Sequence, residues 1–136
     1  MNEHYNQNYT KETISAVLSL IQNCIEQGNY TISMNNNRQE NKDFVAEYNL
    51  NTKRQKKLLL RIKTKDFCHS LKNTNPGYEN EVLYVFVPQY KLFNIDGIEK
   101  VVDVYTKFNL IEYRNSRRTV VISFHERNKQ ISYCFR

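Results

Sequence analysis

Histidine is scarce in this chain, with only His4, His69 and His125 among 136 residues. His4 lies in a polar N-terminal stretch. His69 follows a basic run in Asp66-Phe-Cys-His-Ser70, and His125 closes an apolar one in Ile122-Ser-Phe-His-Glu126. Imidazoles titrate near pH ~6.5, so two of them could take a proton from a ribose 2′-hydroxyl and return one to a leaving 5′-oxygen at neutral pH. Metal-independent RNA cleavage of this kind also needs a cation against the charge that develops on phosphorus. Lys107, Lys72, Arg117 and Arg118 are available for that role. Tyr105 and Lys107 are two residues apart in a stretch where Val102, Val104, Thr106 and Phe108 alternate with polar positions. Period two therefore puts them on one polar face. From there Tyr105 could stack on an unstacked base or donate from its hydroxyl. The competing reading is plainer: two unrelated surface histidines and a strand tyrosine beside a snorkelling lysine. With 56 positions between His69 and His125, only the fold can bring them together.

The charge pattern points to a polyanion. The net charge is +6, yet one window holds Lys53, Arg54, Lys56, Lys57, Arg61, Lys63, Lys65 and Lys72 against a single anion, Asp66. Concentration of the whole excess in one segment is the electrostatic footprint of a nucleic-acid partner, although a solvated helix face would look similar. Arg114, Arg117 and Arg118 form a second basic group in an expected turn.

Other classes fall away. No stretch approaches the ~20 apolar residues of a membrane span, and the N-terminus has neither the basic nor the apolar region of a signal peptide. A cytoplasmic location without membrane contact is expected. Cys24, Cys68 and Cys134 are odd in number and widely spaced, which indicates neither a disulfide framework nor a zinc site. Phosphate-loop, serine-hydrolase and zinc-protease signatures are missing, so no metal or cofactor is expected.

The elements that must position these groups can be sketched. A polar, disordered tail is expected over 1–9 and one domain over 10–136. Ile14, Val17, Leu18, Ile21, Cys24 and Ile25 recur at helical spacing, which predicts a helix over 11–27 capped by Thr10 and ended by Gly28. A short strand follows over 30–34, then a helix over 40–48. Residues 52–62 read as a cationic helix begun at Asn51 or Thr52. Strands are expected over 81–88, 101–111 and 119–124, with 131–135 as a possible fourth, and 89–100 as a long loop. The result is an α+β domain: two to three N-terminal helices packed on a mainly antiparallel sheet of about four to five strands.

Three local patterns carry a resemblance to a known family. Asp66-Phe-Cys-His-Ser70 resembles a DFxKS segment, Val104-Tyr-Thr-Lys107 a VYxK strand, and Ile122-Ser-Phe-His-Glu126 a VSFKE strand. In this order they resemble the MqsR-like toxins of bacterial type II toxin–antitoxin modules, relatives of the RelE group of messenger-RNA interferases. The resemblance implies a RelE-like fold and a metal-independent endoribonuclease that cuts messenger RNA, on or off the ribosome. It also implies a cognate antitoxin protein that silences the activity. It implicates His69, Tyr105 and His125, with Lys107 as a phosphate contact. Lysines stand in the family where His69 and His125 stand here. The alternative function is a non-catalytic RNA- or protein-binding module built on the basic 53–72 segment.

Overall fold

The protein is described by a computed structural model over residues 4–136. Helix α1 (Lys11–Glu26) begins where the Thr10 side chain accepts from the Thr13 backbone N–H. It buries Ile14, Leu18, Ile21, Cys24 and Ile25. The chain then turns through Gly28, whose positive φ of 78° suits glycine at a helix end. Strand β1 (Tyr30–Ile32) follows, then α2 (Gln39–Glu47) and α3 (Thr52–Leu60). The Asn51 side chain caps α3 by accepting from the Arg54 N–H. The cationic stretch is thus a helix, as its composition requires, and its last apolar residues Leu58 and Leu59 enter the core.

After a 3-10 turn at Thr64–Asp66 the chain is entirely strand and connection: β2 (Phe67–Lys72), β3 (Val82–Phe86), β4 (Gln89–Phe93), β5 (Glu99–Tyr113) and β6 (Ser116–Glu126). The sheet runs β1-β6-β5-β3-β2, and β4 pairs with the first part of β5, beyond the end of β3. Only β1, parallel to β6, departs from antiparallel pairing. The general α+β class therefore holds, but the sheet has six strands rather than four or five.

Three differences account for the changed sheet. Residues 67–72 form a strand that sequence alternation does not reveal, because a bulge interrupts it. Part of the expected long loop is β4, whose alternate residues Tyr90 and Leu92 are buried. Residues 131–135 form no strand. They cross the sheet as an irregular strap, fixed where Cys134 N–H donates to the Phe67 carbonyl and Tyr133 hydroxyl to the Val87 carbonyl.

The three helices cover one sheet face. Their apolar stripes meet Phe67, Phe86, Val104, Phe108, Val121 and Phe124 in the main core. The opposite face carries a smaller cluster of Cys68, Val85, Val87 and Tyr105 beneath Ile131 and Tyr133. Residues 5–9, expected as a disordered tail, lie along the outer edge of β2. Asn6 and Ser70 exchange backbone hydrogen bonds of 2.9 Å, and the Tyr9 hydroxyl meets Ser70 Oγ at 2.6 Å. Pairing of an otherwise open sheet edge gives those polar residues a fixed path. Among the described residues no helix is long and apolar enough to cross a membrane.

Candidate functional site on the strap-covered sheet face

Side chains alternate along a strand, so a residue's face follows from parity unless a bulge resets it. On β5, Val104, Thr106 and Phe108 are buried against the helices, which turns Tyr105 and Lys107 to the opposite face. Parity alone would put His69 on the same side as Phe67, inside the helical core. The register shift between Phe67, opposite Phe86, and His69, opposite Val85, inserts Cys68 as an extra residue and reverses the face. A second bulge does the same on β6. Phe108 pairs with Val121 and Lys107 with Ser123, so Ile122 is the extra residue. Phe124 then faces the core, while Ser123 and His125 join Lys107 and Tyr105. Two bulges thus put both histidines on one face.

Helix α2 holds the second bulge in place. Asn41, 1% exposed, donates through Nδ2 to the carbonyls of Ser33 and Ile122 and accepts the Phe124 N–H at Oδ1. The bulge's displaced backbone groups are satisfied by one amide, as a buried ladder defect requires.

Tyr105 and His125 are direct cross-strand partners, with rings 5.4 Å apart and inclined by 19°. His125 Nδ1–H donates to the Glu126 carbonyl at 2.8 Å. Since a carbonyl only accepts, Nδ1 carries a hydrogen and Nε2 is left for proton exchange. Lys129, in the connection after β6, lies over the Tyr105 ring with Nζ 5.0 Å from its centroid. Burial pushes the Tyr105 hydroxyl above its ordinary value, with Lys129 opposing. Burial draws the Lys129 ammonium down, but the facing oxygens of Tyr105 and Tyr5 outweigh it and raise it.

Lys107 is half-buried. Its ammonium is shifted down by burial first, then by the charges of Arg38 and Lys129. None of the ion pairs among the described residues involves Lys107, Arg38 or Lys129. The like charges of Arg38 and Lys129 act on Lys107 with no ion pair of its own among the described residues, which favours an anion there. The Glu40 carboxylate lies 3.9 Å from His125 Nδ1 on the same side.

His69 lies differently. It is 2% exposed and stacked under Tyr5, with ring centroids 3.6 Å apart and planes within 7°. Burial, then Lys129 and Lys107, push its imidazole down to about 4, so it is neutral at pH 7. It is three strand intervals from His125, about 14 Å at ordinary strand spacing. The two histidines share a face without flanking one phosphate.

The basic groups of the sequence are also divided. Lys53, Arg54, Lys56 and Lys57 belong to α3, and Arg61, Lys63 and Lys65 follow it, where Arg61 packs over Tyr90. The helix carrying the first four lies on the sheet's other side from Lys107. Lys72 is exposed at the far end of β2. Arg117 pairs with Glu112, and Arg118 donates to Thr31. Arg118 stands opposite Ile111, four residues along β5 from Lys107, or about 13 Å. The cations beside Lys107 are instead Arg38 and Lys129, neither of which stands in the basic groups read from the sequence. No signal in either segment marks them. Their role follows from which ends of α2 and β6 meet.

Among the described residues no three His, Cys, Asp or Glu side chains gather in a group that could hold a metal ion. Compared with known proteins, the chain matches no family model, no curated protein and no solved structure.

Proposed function

We propose that the face bearing Tyr105, Lys107 and His125 binds RNA and cleaves it without a metal, as an endoribonuclease acting on messenger RNA. The observation that carries this reading is the half-buried Lys107 under the charges of Arg38 and Lys129, beside an imidazole whose Nδ1 is engaged by the Glu126 carbonyl. In the proposed reaction His125 Nε2 takes the proton from a ribose 2′-hydroxyl as the 2′-oxygen bonds to phosphorus. The bond from phosphorus to the 5′-oxygen breaks, and that oxygen takes a proton from Lys107, whose lowered affinity for it favours donation. Arg38 and Lys129 hold the charge on the phosphoryl oxygens, and the Tyr105 ring positions His125. The products are a 2′,3′-cyclic phosphate and a 5′-hydroxyl. The resemblance of three motifs to messenger-RNA interferase toxins adds the expectations of growth inhibition, a cytoplasmic setting and a neutralising antitoxin.

His69 takes no proton-transfer role in this scheme, since it is neutral, covered and distant from His125.

The test is induced expression with mapping of RNA ends. Cleavage should fall by about 10²–10⁴-fold in both His125→Ala and Lys107→Ala, with unchanged melting behaviour. Undiminished cleavage in both variants, or products ending in 3′-hydroxyls, would overturn the mechanism. The second reading, a binding module without chemistry, is favoured by one fact: the α3 cations lie away from Lys107. It predicts RNA binding with no cut ends.

A further inference from the structure

Between the two terminal segments lies a cavity that the proposed chemistry does not use. Tyr5, His69, Asp103, Arg127, Gln130 and Tyr133 line it. It adjoins the cation cluster, because Lys129 interacts with Tyr5 as well as with Tyr105. Within its wall His69 is nearly inaccessible, and its Nε2 has no hydrogen-bond partner among the described residues. Buried polar atoms in folded proteins are almost always paired, so an orphan on a residue of the cavity wall marks a hydrogen bond that the protein itself leaves unmade.

The remaining walls narrow the ligand's chemistry. Asp103 presents a carboxylate, which repels a phosphate or any other anion at this point. Arg127 donates to Asp103 at 3.2 Å, and Gln130 adds an amide that can both donate and accept. Asp103 also accepts from Gln89 and Arg127 also donates to the Lys129 carbonyl, so the group that a purely apolar ligand would leave unmatched is His69 Nε2. Flat aromatic surface combined with donors and acceptors fits a planar heterocycle with a polar edge. Tyr5 already shows the mode, since its ring lies flat on His69.

We propose that this cavity receives one unstacked nucleobase of the bound RNA and so sets base preference at the site. The inference rests on the RNA reading given above. A nucleobase offers stacking area to the rings and an edge of donors and acceptors to Asp103, Arg127 and His69 Nε2. Its ribose phosphate then extends past Lys129 toward Lys107. His69 acts here as a neutral hydrogen-bonding group rather than as a proton carrier, consistent with the low basicity that its burial imposes.

The experiment is titration of the intact protein with the ribonucleoside monophosphates and with ribose 5-phosphate, following affinity by calorimetry and His69 Nε2 by nitrogen NMR. At least one nucleotide should bind about tenfold or more tightly than ribose 5-phosphate, the scale of a single base contact, and should shift the His69 resonance. The advantage should disappear in His69→Phe, which keeps a ring for Tyr5 to stack on, and persist in part in His69→Gln, which keeps a polar group. No nucleotide advantage over ribose 5-phosphate would overturn the proposal, as would a His69 resonance that stays still at saturation. Failure of the cleavage reading is recognised separately: base-selective binding in a protein that cuts no RNA removes the chemistry and leaves the cavity. Cleavage indifferent to base identity, with no nucleotide advantage, does the reverse.

Discussion

A histidine held neutral inside a fold leaves a trace in the pH dependence of stability. His69 has its folded pKa lowered to about 4 by burial and by Lys129 and Lys107. The unfolded chain takes up the proton near pH ~6.5, where imidazole ordinarily titrates. Between these values the unfolded state binds more protons, so stability rises with pH through that window. It is fully present above pH ~6.5 and falls as pH drops toward about 4. Thermal melts of the wild type and of His69→Gln between these limits should diverge, with the wild type losing more as pH falls. Parallel curves would mean that His69 is already protonated or exposed. Lys107 is displaced in the same sense by burial, Arg38 and Lys129, and its position beside His125 gives it a different use.

At the scale of elements the decisive devices are the two bulges. Each inserts one residue, Cys68 or Ile122, and each moves a histidine from the core side of its strand to the other face. The bulge on β6 depends on Asn41, which satisfies the Ile122 carbonyl and the Phe124 N–H while tying α2 to the chain after β1. Asn41→Ala would leave those backbone groups buried and unpaired. A loss of about 2–3 kcal/mol is expected in urea unfolding, where a change under about 0.5 kcal/mol would show that the bulge holds without it. The same variant should impair cleavage more than its melting curve predicts, since Asn41 also supports the strand segment that carries Ser123 and His125.

The whole molecule presents positive charge on two sides. One side is α3 with its flanking residues, a broad exposed set; the other is the compact trio of Arg38, Lys107 and Lys129. Exposed cations gather a polyanion at long range and release counterions, whereas a desolvated cation acts on the phosphate it touches. Replacing Lys53, Arg54 and Lys57 by glutamine should therefore weaken RNA binding and flatten its salt dependence by about two in log–log slope. Cleavage at saturating RNA should be unchanged. A drop in that saturated rate equal to the drop for Lys107→Ala would place the chemistry on the helical side instead.

What the amino-acid order determined by itself was local. Helical spacing from Ile14 to Ile25, the Thr10 and Asn51 caps, and the alternation from Val102 to Phe108 all act over a turn or two of chain. Each is therefore written in neighbouring residues. The same alternation was enough to turn Tyr105 and Lys107 together away from the core. The alignment of β2 and the faces taken by His69 and His125 depend instead on bulges, which change parity without any distinctive residue. The meeting of Arg38 and Lys129 with Lys107 depends on distant chain ends packed around one sheet. Such contacts are set by which buried surfaces fit one another, and only the tertiary structure decides them.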